Sequence, residues 1–203
     1  MQNMKMSLAG KIELTGHEGI SFVKYRDPGD VWTIGIGMTS TEIPDLANWP
    51  ADKALTIEQC FEMLDIAIVK YENALNEVLT CPILQTQFDA LCSWCYNVGV
   101  GWPRKASVIK AINANASNDV LYKDLMLFNK PKSIIGRRTK EALLLTTGKY
   151  QNGGMAELLP SGVQINVAEQ IQKYSPNIRI QINAPVTSVT QLSFWEQIQA
   201  WFK

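Results

Sequence analysis

Long apolar runs are absent from this sequence of 203 residues. A transmembrane helix needs about 20 consecutive apolar residues, and no stretch approaches that length. The N-terminal stretch MQNMKMSLAGKIELTG also lacks the apolar segment of about 7–15 residues that a secretory signal peptide contains. With an apolar fraction of 46% and a charged fraction of 19%, the composition is that of an ordinary folded domain. We therefore expect a chain that is made and folded in a cytoplasm.

An excess of basic residues is also missing. The sequence has 19 Lys and Arg residues and 19 Asp and Glu residues, so its formal net charge is zero. Proteins that bind nucleic acids normally carry a basic patch that neutralises phosphates. The composition therefore argues against a nucleic acid as the partner.

Histidine and cysteine are scarce, with one His and four Cys in the chain. A Ser-His-Asp or Cys-His mechanism would have to use His17, which we interpret as a surface residue at a helix end. Cys92 and Cys95 form a CxxC pair, which is compatible with a redox or zinc site. Because no second CxxC exists and the surrounding FDALCSWCYNVG is typical of a buried helix, we interpret both as core thiols. We predict neither a metal nor a cofactor.

The pattern along the first 150 residues predicts an α+β fold that is mostly α. Residues 7–24 begin with an amphipathic helix that ends between Gly16 and Gly19, and YRDPGDVWTIGIGMTSTEI then predicts a small hairpin with an Asp-Pro-Gly-Asp turn. Residues 56–79 predict one long helix with Thr56 and Gln59 as a capping box, and residues 83–150 predict several shorter helices. A small β lobe, a long connecting helix and a helical lobe would leave a cleft between the lobes, where ligands usually bind.

Residues 151–203 differ in character and are predicted to form a C-terminal extension to a domain of residues 1–150. The stretch NIRIQIN alternates like a β-strand, and the closing SFWEQIQAWFK places apolar residues on one face of a helix. Helices that bind membrane surfaces usually carry several Lys or Arg residues, whereas this one has only Lys203. We therefore predict that the closing helix packs on the body of the protein; contact with a membrane surface or a second chain is the alternative.

Two acids stand close together in the N-terminal region. Glu18 follows the first helix pattern, Asp27 lies in the hairpin turn, and Thr33 follows on the next strand. Glycoside hydrolysis requires one protonated carboxyl group and one ionised carboxylate on either side of the scissile bond. On spacing alone, such a pair of acids more often consists of solvated surface charges.

The stretch HEGISFVKYRDPGDVWTIGIGMT resembles the active-site region of the phage-type lysozymes, glycoside hydrolase family 24. Three further segments resemble the same family in the same order: LTIEQCFEMLD, QFDALCSWCYNVG and IIGRRTKEALLLTTG. The resemblance covers roughly residues 8–150 and implies a lysozyme-like two-lobed fold. Met38 is a departure, because the family often has His at this position.

The resemblance implies a catalytic role for three residues. Glu18 would protonate the β-1,4 glycosidic oxygen between N-acetylmuramic acid and N-acetylglucosamine in bacterial peptidoglycan. Asp27 would position the attacking water or act as base, Thr33 would help to hold that water, and the anomeric carbon would be inverted.

Four further residues are candidates for substrate binding or for shaping the cleft. Gly35 and Gly37 alternate with isoleucines, and glycines in a strand often mark either a close approach to the backbone or a simple bend. The resemblance adds Asn97 on the far side of the cleft, for which helix termination and packing is the alternative, and an arginine that approaches Glu18. The local register leaves Arg137 and Arg138 open for that arginine, with a surface ion pair as the alternative.

The resemblance favours a monomeric endolysin, made in the cytoplasm of the host bacterium and released to the cell wall, with glycan strands as its partner. A lytic transglycosylase cleaves the same bond with a single acid, so the presence of Asp27 and Thr33 argues against that alternative. A non-catalytic peptidoglycan-binding module with an interacting tail is the third hypothesis.

Overall fold

A computed structural model describes residues 3–174 of the chain. This part consists of eight α-helices, two short 3₁₀ turns and two antiparallel hairpins. The helices are α1 Leu8–Glu18, α2 Ile57–Ala67, α3 Val69–Asn76, α4 Gln85–Val98, α5 Ser107–Asn113, α6 Asn118–Leu125, α7 Ile135–Thr147 and α8 Val167–Tyr174, and the strands are β1 Ser21–Arg26, β2 Trp32–Gly35, β3 Met155–Leu158 and β4 Val163–Asn166. The mostly helical α+β fold that the sequence predicts is confirmed.

The first hairpin has the predicted position and turn. Strand β1 pairs with β2 in a register that places Tyr25 opposite Thr33, with an irregularity between Ser21 and Tyr25. After β2 the chain turns back tightly, because Ile34 and Met38 exchange both backbone hydrogen bonds, at 3.0 and 3.1 Å. This turn contains Gly37 at φ 68°, a left-handed conformation that side chains disfavour.

The predicted long helix is interrupted. The capping box of Thr56 and Gln59 is present, but α2 ends at Ala67 and α3 begins at Val69. The joint, Ile68, keeps right-handed angles (φ −74°, ψ −22°), and its N–H still bonds to the Leu64 carbonyl. Ile68 and Val69 are β-branched residues, which have lower helix propensity and accommodate such a break.

Helix α4 forms the centre of the helical lobe. Its segment from Phe88 to Cys95 is buried, and it packs along α7. Burial raises the pKa of the Cys95 thiol to about 12 and raises that of Cys92 well above its ordinary value. Both cysteines are free and buried, which confirms their interpretation as core thiols.

The C-terminal extension begins with a hairpin that the sequence analysis missed. Strands β3 and β4 pair in register from Met155–Asn166 to Leu158–Val163, and the intervening Pro-Ser-Gly was an available turn signal. Helix α8 follows and packs against α1 and α2 through the buried Val167 and Ile171. NIRIQIN and SFWEQIQAWFK, for which a strand and a docked helix are predicted, lie outside the described residues.

None of the helices in residues 3–174 has both the length and the apolar character needed to cross a membrane.

Helix α1 carries two buried ionisable side chains, Glu13 and His17. Their side chains are 4% and 3% exposed, and His17 Nε2 lies 3.9 Å from Glu13 Oε1. The expectation that His17 lies on the surface is therefore wrong, because the helix end is covered by its neighbours. Burial lowers the pKa of His17 to about 3, and the charges of Arg137 and Lys140 act in the same direction.

We predict that Ile171→Ala lowers the free energy of unfolding by about 2–5 kcal/mol, because it removes buried methyl groups between α8 and the body. Urea denaturation of the full chain measures this change. The matched control is Gln172→Ala on the exposed side of α8, for which we expect a change within about 0.5 kcal/mol. Equal, small effects of both substitutions would contradict cooperative folding of α8 with the body.

We predict that His17 makes the protein less stable as the pH falls. The folded protein takes up this proton near pH 3, whereas an unfolded chain takes it up near the ordinary pKa of 6.5. Between these values the unfolded state holds the extra proton, so the free energy of unfolding decreases towards acid pH. At pH 5, protonation of His17 in the unfolded state lowers the free energy of unfolding by about 2 kcal/mol.

The measurement compares urea denaturation of the wild type and His17→Gln at pH 7 and pH 5. His17 is the only histidine of the chain, so the substitution removes the whole histidine contribution. The variant should lose about 2 kcal/mol less than the wild type over this interval. An identical loss in both proteins would show that His17 does not remain neutral.

Candidate active site

Glu18 is the last residue of α1. Gly19 ends the helix at φ 74°, and its N–H bonds to the Thr15 carbonyl. The chain then enters β1, so the Glu18 side chain lies where the first helix meets the hairpin. This side chain is 19% exposed, and its Oε1 accepts a hydrogen bond of 2.6 Å from Arg137 Nη1. A carboxyl group is thus fixed in place but remains accessible.

Arg137 is itself held by the helical lobe. Its Nε bonds to Glu141 Oε1 at 2.8 Å and its Nη2 to the Ser93 carbonyl at 3.1 Å. Burial lowers the pKa of the Arg137 guanidinium, but the charges of Glu18 and Glu141 and the hydrogen bonds to both raise it further, so the net shift is upward. Arg137 is therefore a fixed positive charge beside Glu18.

Arg138 points elsewhere. Its Nη2 bonds to Asn97 Oδ1 at 2.6 Å, its Nε bonds to the Phe128 carbonyl at 2.9 Å, and its Nη1 contacts Glu141. Burial lowers the pKa of Arg138, although the Glu141 charge opposes this shift. Of the two candidate arginines, Arg137 is the one that contacts Glu18. Both belong to a largely buried network rather than to a surface ion pair.

Asp27 closes the turn of the first hairpin. Its Oδ1 accepts hydrogen bonds of 2.8 Å from the backbone N–H groups of both Gly29 and Val31. These bonds fix the carboxylate and leave Oδ2 without a protein partner in the part of the chain that the structure describes. The fixed carboxylate has one oxygen available to bind another molecule.

Thr33 is buried on β2, with 4% of its surface exposed. Its Oγ1 donates to the Val31 carbonyl at 3.2 Å and makes no direct bond to Glu18 or Asp27. Thr33 and Asp27 are nevertheless linked through Val31, since Asp27 Oδ1 accepts the N–H of that residue. The structure therefore brings Asp27 and Thr33 together at the same end of the hairpin.

The two candidate glycines have different surroundings. A Cβ atom on Gly37 would lie 2.8 Å from Glu18 Oε2, so any side chain there would collide with the acid. A Cβ atom on Gly35 would instead meet Met38 Cε at 2.7 Å. Gly37 is thus in contact with the acid, whereas Gly35 permits the packing of the buried Met38 beneath the turn.

Asn97 is exposed near the end of α4, and its Oδ1 accepts a hydrogen bond from Arg138. Helix α4 ends at Gly99 with φ 93°, and Tyr96 Oη bonds to the Ile36 carbonyl at 2.9 Å. This last bond joins the helical lobe to the turn that contains Gly37.

The sequence analysis missed Glu141, Tyr96 and Tyr25. Glu141 is 1% exposed and bridges the two arginines, and its spacing of four and three residues from them was an available signal. Burial raises the pKa of Tyr25, and the charges of Asp27 and Glu18 add to this effect. The Tyr25 phenol is therefore near enough to both candidate acids for their charges to act on it.

No group of three His, Cys, Asp or Glu side chains among residues 3–174 could hold a metal ion.

Comparisons with known proteins match this architecture. The family model for phage lysozymes matches residues 15–141. The endolysin of Salmonella phage P22 is 27% identical over 144 residues, covering 70% of this chain and 97% of the relative. The endolysin of Bacillus phage PZA is 26% identical over 156 residues, and the chain spans 58% of its length.

Among solved structures, the endolysin from Escherichia coli O157:H7 phage FAHEc1 superposes with a TM-score of 0.65 at 24% identity, covering 74% of this chain and 98% of that structure. This likeness concerns the fold. Since the family match contains Glu18, Asp27, Thr33 and Arg137 and spans more than half of the sequence, the chain belongs to the phage lysozyme family.

Proposed function

We propose that this protein is an endolysin that hydrolyses the β-1,4 bond between N-acetylmuramic acid and N-acetylglucosamine in peptidoglycan. The observation that carries this proposal is that two partly exposed carboxyl groups, one before and one after strand β1 in the chain, are each fixed at one oxygen. Glu18 is bound at one oxygen by Arg137, at 2.6 Å. Asp27 is held at one oxygen by its own turn and presents the other.

In the proposed reaction Glu18 donates its proton to the glycosidic oxygen as the bond from the anomeric carbon to that oxygen breaks. Water bound at Asp27 Oδ2 forms the new bond to the anomeric carbon from the opposite face and gives up a proton to Asp27. The configuration at this carbon is then inverted. Thr33 steadies this end of the hairpin and assists in holding the water.

Arg137 acts after the proton transfer from Glu18. Once Glu18 has lost its proton, the guanidinium stabilises the resulting carboxylate without having to reorganise, because Glu141 and Ser93 already hold it in place. Gly37 lies against the Glu18 carboxyl, and Asn97 is exposed near the end of α4. We propose substrate-binding roles for both residues.

A lytic transglycosylase is the second candidate, since it would also use Glu18 as its acid. That reaction closes an anhydro ring without water, so it gives no role to the oxygen that Asp27 leaves free. A non-catalytic binding module would give no role to either acid. For the hydrolase we propose monomeric action at the cell wall of the host bacterium, after release from the cytoplasm.

We predict that Glu18→Gln lowers kcat by about 10²–10⁴-fold or more, because Gln cannot donate the proton. The assay incubates full-length protein with isolated peptidoglycan and measures new reducing ends and fragment masses. Glu77→Gln is the control, because Glu77 is a half-exposed acid that pairs with Arg104 on the surface. Reducing muramic-acid ends support hydrolysis, anhydro ends indicate a transglycosylase, and the absence of any cleavage contradicts the proposal.

We predict that Asp27→Asn lowers kcat by about 10²-fold or more, because an amide is a poor base for the attacking water. The matched control is Asp30→Asn in the same turn, where the side chain is 87% exposed and pairs with Arg26. Both variants change one turn acid by one unit of charge. Equal activity of the two variants would rule out the role of Asp27.

A further inference from the structure

The C-terminal extension is attached directly to the turn of α1 that precedes Glu18. Asn152 Nδ2 donates to the Glu13 carbonyl at 2.9 Å, and Asn152 Oδ1 accepts from Lys140 Nζ at 2.6 Å. The fit is close, because a Cβ atom on Gly16 would lie 2.5 Å from Asn152 Nδ2. Asn152 thus links α1 to α7, the two helices that carry Glu18 and Arg137.

The buried carboxylate of Glu13 takes its hydrogen bonds from the same segment. Its two oxygens accept the backbone N–H groups of Gln151 and Asn152 at 3.0 and 2.9 Å. A buried carboxylate is costly unless its oxygens are hydrogen-bonded. Helix α1 of this chain therefore depends on the extension for a partner of its own buried charge.

The hairpin of the extension binds the backbone that directly follows Glu18. The Ile20 N–H donates to the Glu157 carbonyl at 2.9 Å, and the Leu159 N–H donates to the Ile20 carbonyl at 2.8 Å. The Leu159 side chain also covers Gly19, since a Cβ atom there would lie 2.7 Å from Leu159 Cδ1. The extension thus forms hydrogen bonds with the chain both before and after Glu18.

We propose that residues 151–159 form a positioning clamp for Glu18 and that Asn152 is its central positioning residue. This inference rests on the proposed function. The family match ends at residue 141, so the clamp lies outside the segment that defines the family. Glu18 occupies the last position of its helix, where helices fray, and a displacement of about 1 Å in a catalytic group can cost about 10²-fold in rate.

The test compares Asn152→Ala with Asn76→Ala in the full chain. Asn76 makes a similar pair of bonds, to the N–H and carbonyl of Met4, at 3.0 and 2.9 Å, but far along the chain from Glu18. Both substitutions should lower Tm. Only Asn152→Ala should lower kcat, by about 10-fold or more, with KM on soluble peptidoglycan fragments unchanged.

The pH profile of kcat distinguishes a positioning role of Asn152 from a purely structural role. The alkaline fall of kcat reports the general acid in the bound enzyme. Because a displaced Glu18 changes its contact with Arg137, the midpoint of this fall should move in Asn152→Ala and stay fixed in Asn76→Ala. A normal kcat in Asn152→Ala, or a reduced kcat with an unmoved midpoint, would overturn the proposal.

A second pair of variants covers the case of a strongly destabilised Asn152→Ala. Gly16→Ala should displace the Asn152 side chain and lower kcat, whereas the double variant Gly16→Ala/Asn152→Gly removes the Asn152 side-chain atoms that the new Cβ would meet and improves the helix propensity of α1. We expect the double variant to recover Tm but to keep the low kcat of Asn152→Ala. Recovery of both quantities would show that the clamp acts on stability alone.

The wild-type assay distinguishes failure of this inference from failure of the proposed function. If the wild type releases no fragments from peptidoglycan, the proposed function fails, and the clamp with it. If the wild type cleaves and Glu18→Gln does not, while Asn152→Ala behaves like Asn76→Ala, only the clamp is wrong.

Discussion

The contact between Glu18 and Arg137 is the constraint on which the two lobes depend. It joins the end of α1 to α7 through a hydrogen bond of 2.6 Å between side chains that are 19% and 10% exposed. Breaking a pair that is largely buried leaves an uncompensated charge, which costs far more than loss of a surface pair. Glu141 extends the pair by bonding both arginines, so the charges alternate in sign across the helical lobe. The charged groups around Glu18 thus cannot move independently.

Helix α1 contributes to the candidate site and also binds the C-terminal extension. Its last residue is the candidate acid, while one turn earlier Glu13 is buried against the backbone of Gln151 and Asn152. A helix of only 11 residues is too short to be stable alone, so these attachments hold it in place. The structural consequence is that residues far apart in the sequence meet on a single short helix.

Local patterns were sufficient to predict the end of α1 and the hairpin turn. Each depends on residue types that dictate their own conformation, such as Gly19, whose φ angle is 74°. Local patterns did not predict that His17 is buried, because the elements that cover this end of α1 lie far along the chain. The choice between Arg137 and Arg138 likewise needed the orientation of α7, since adjacent helical residues point about 100° apart. The break at Ile68 was hidden because both halves share one apolar periodicity.

The buried thiols of the core affect how this protein tolerates a change of redox environment. Thiol–disulfide exchange proceeds through the thiolate, and burial raises the pKa of Cys60, like that of Cys95, to about 12. Their thiolate fraction near neutral pH is therefore negligible, and the folded core shields them from oxidants. A protein that leaves a reducing compartment after folding can then enter an oxidising one without an oxidative folding step and without scrambled disulfides among these residues.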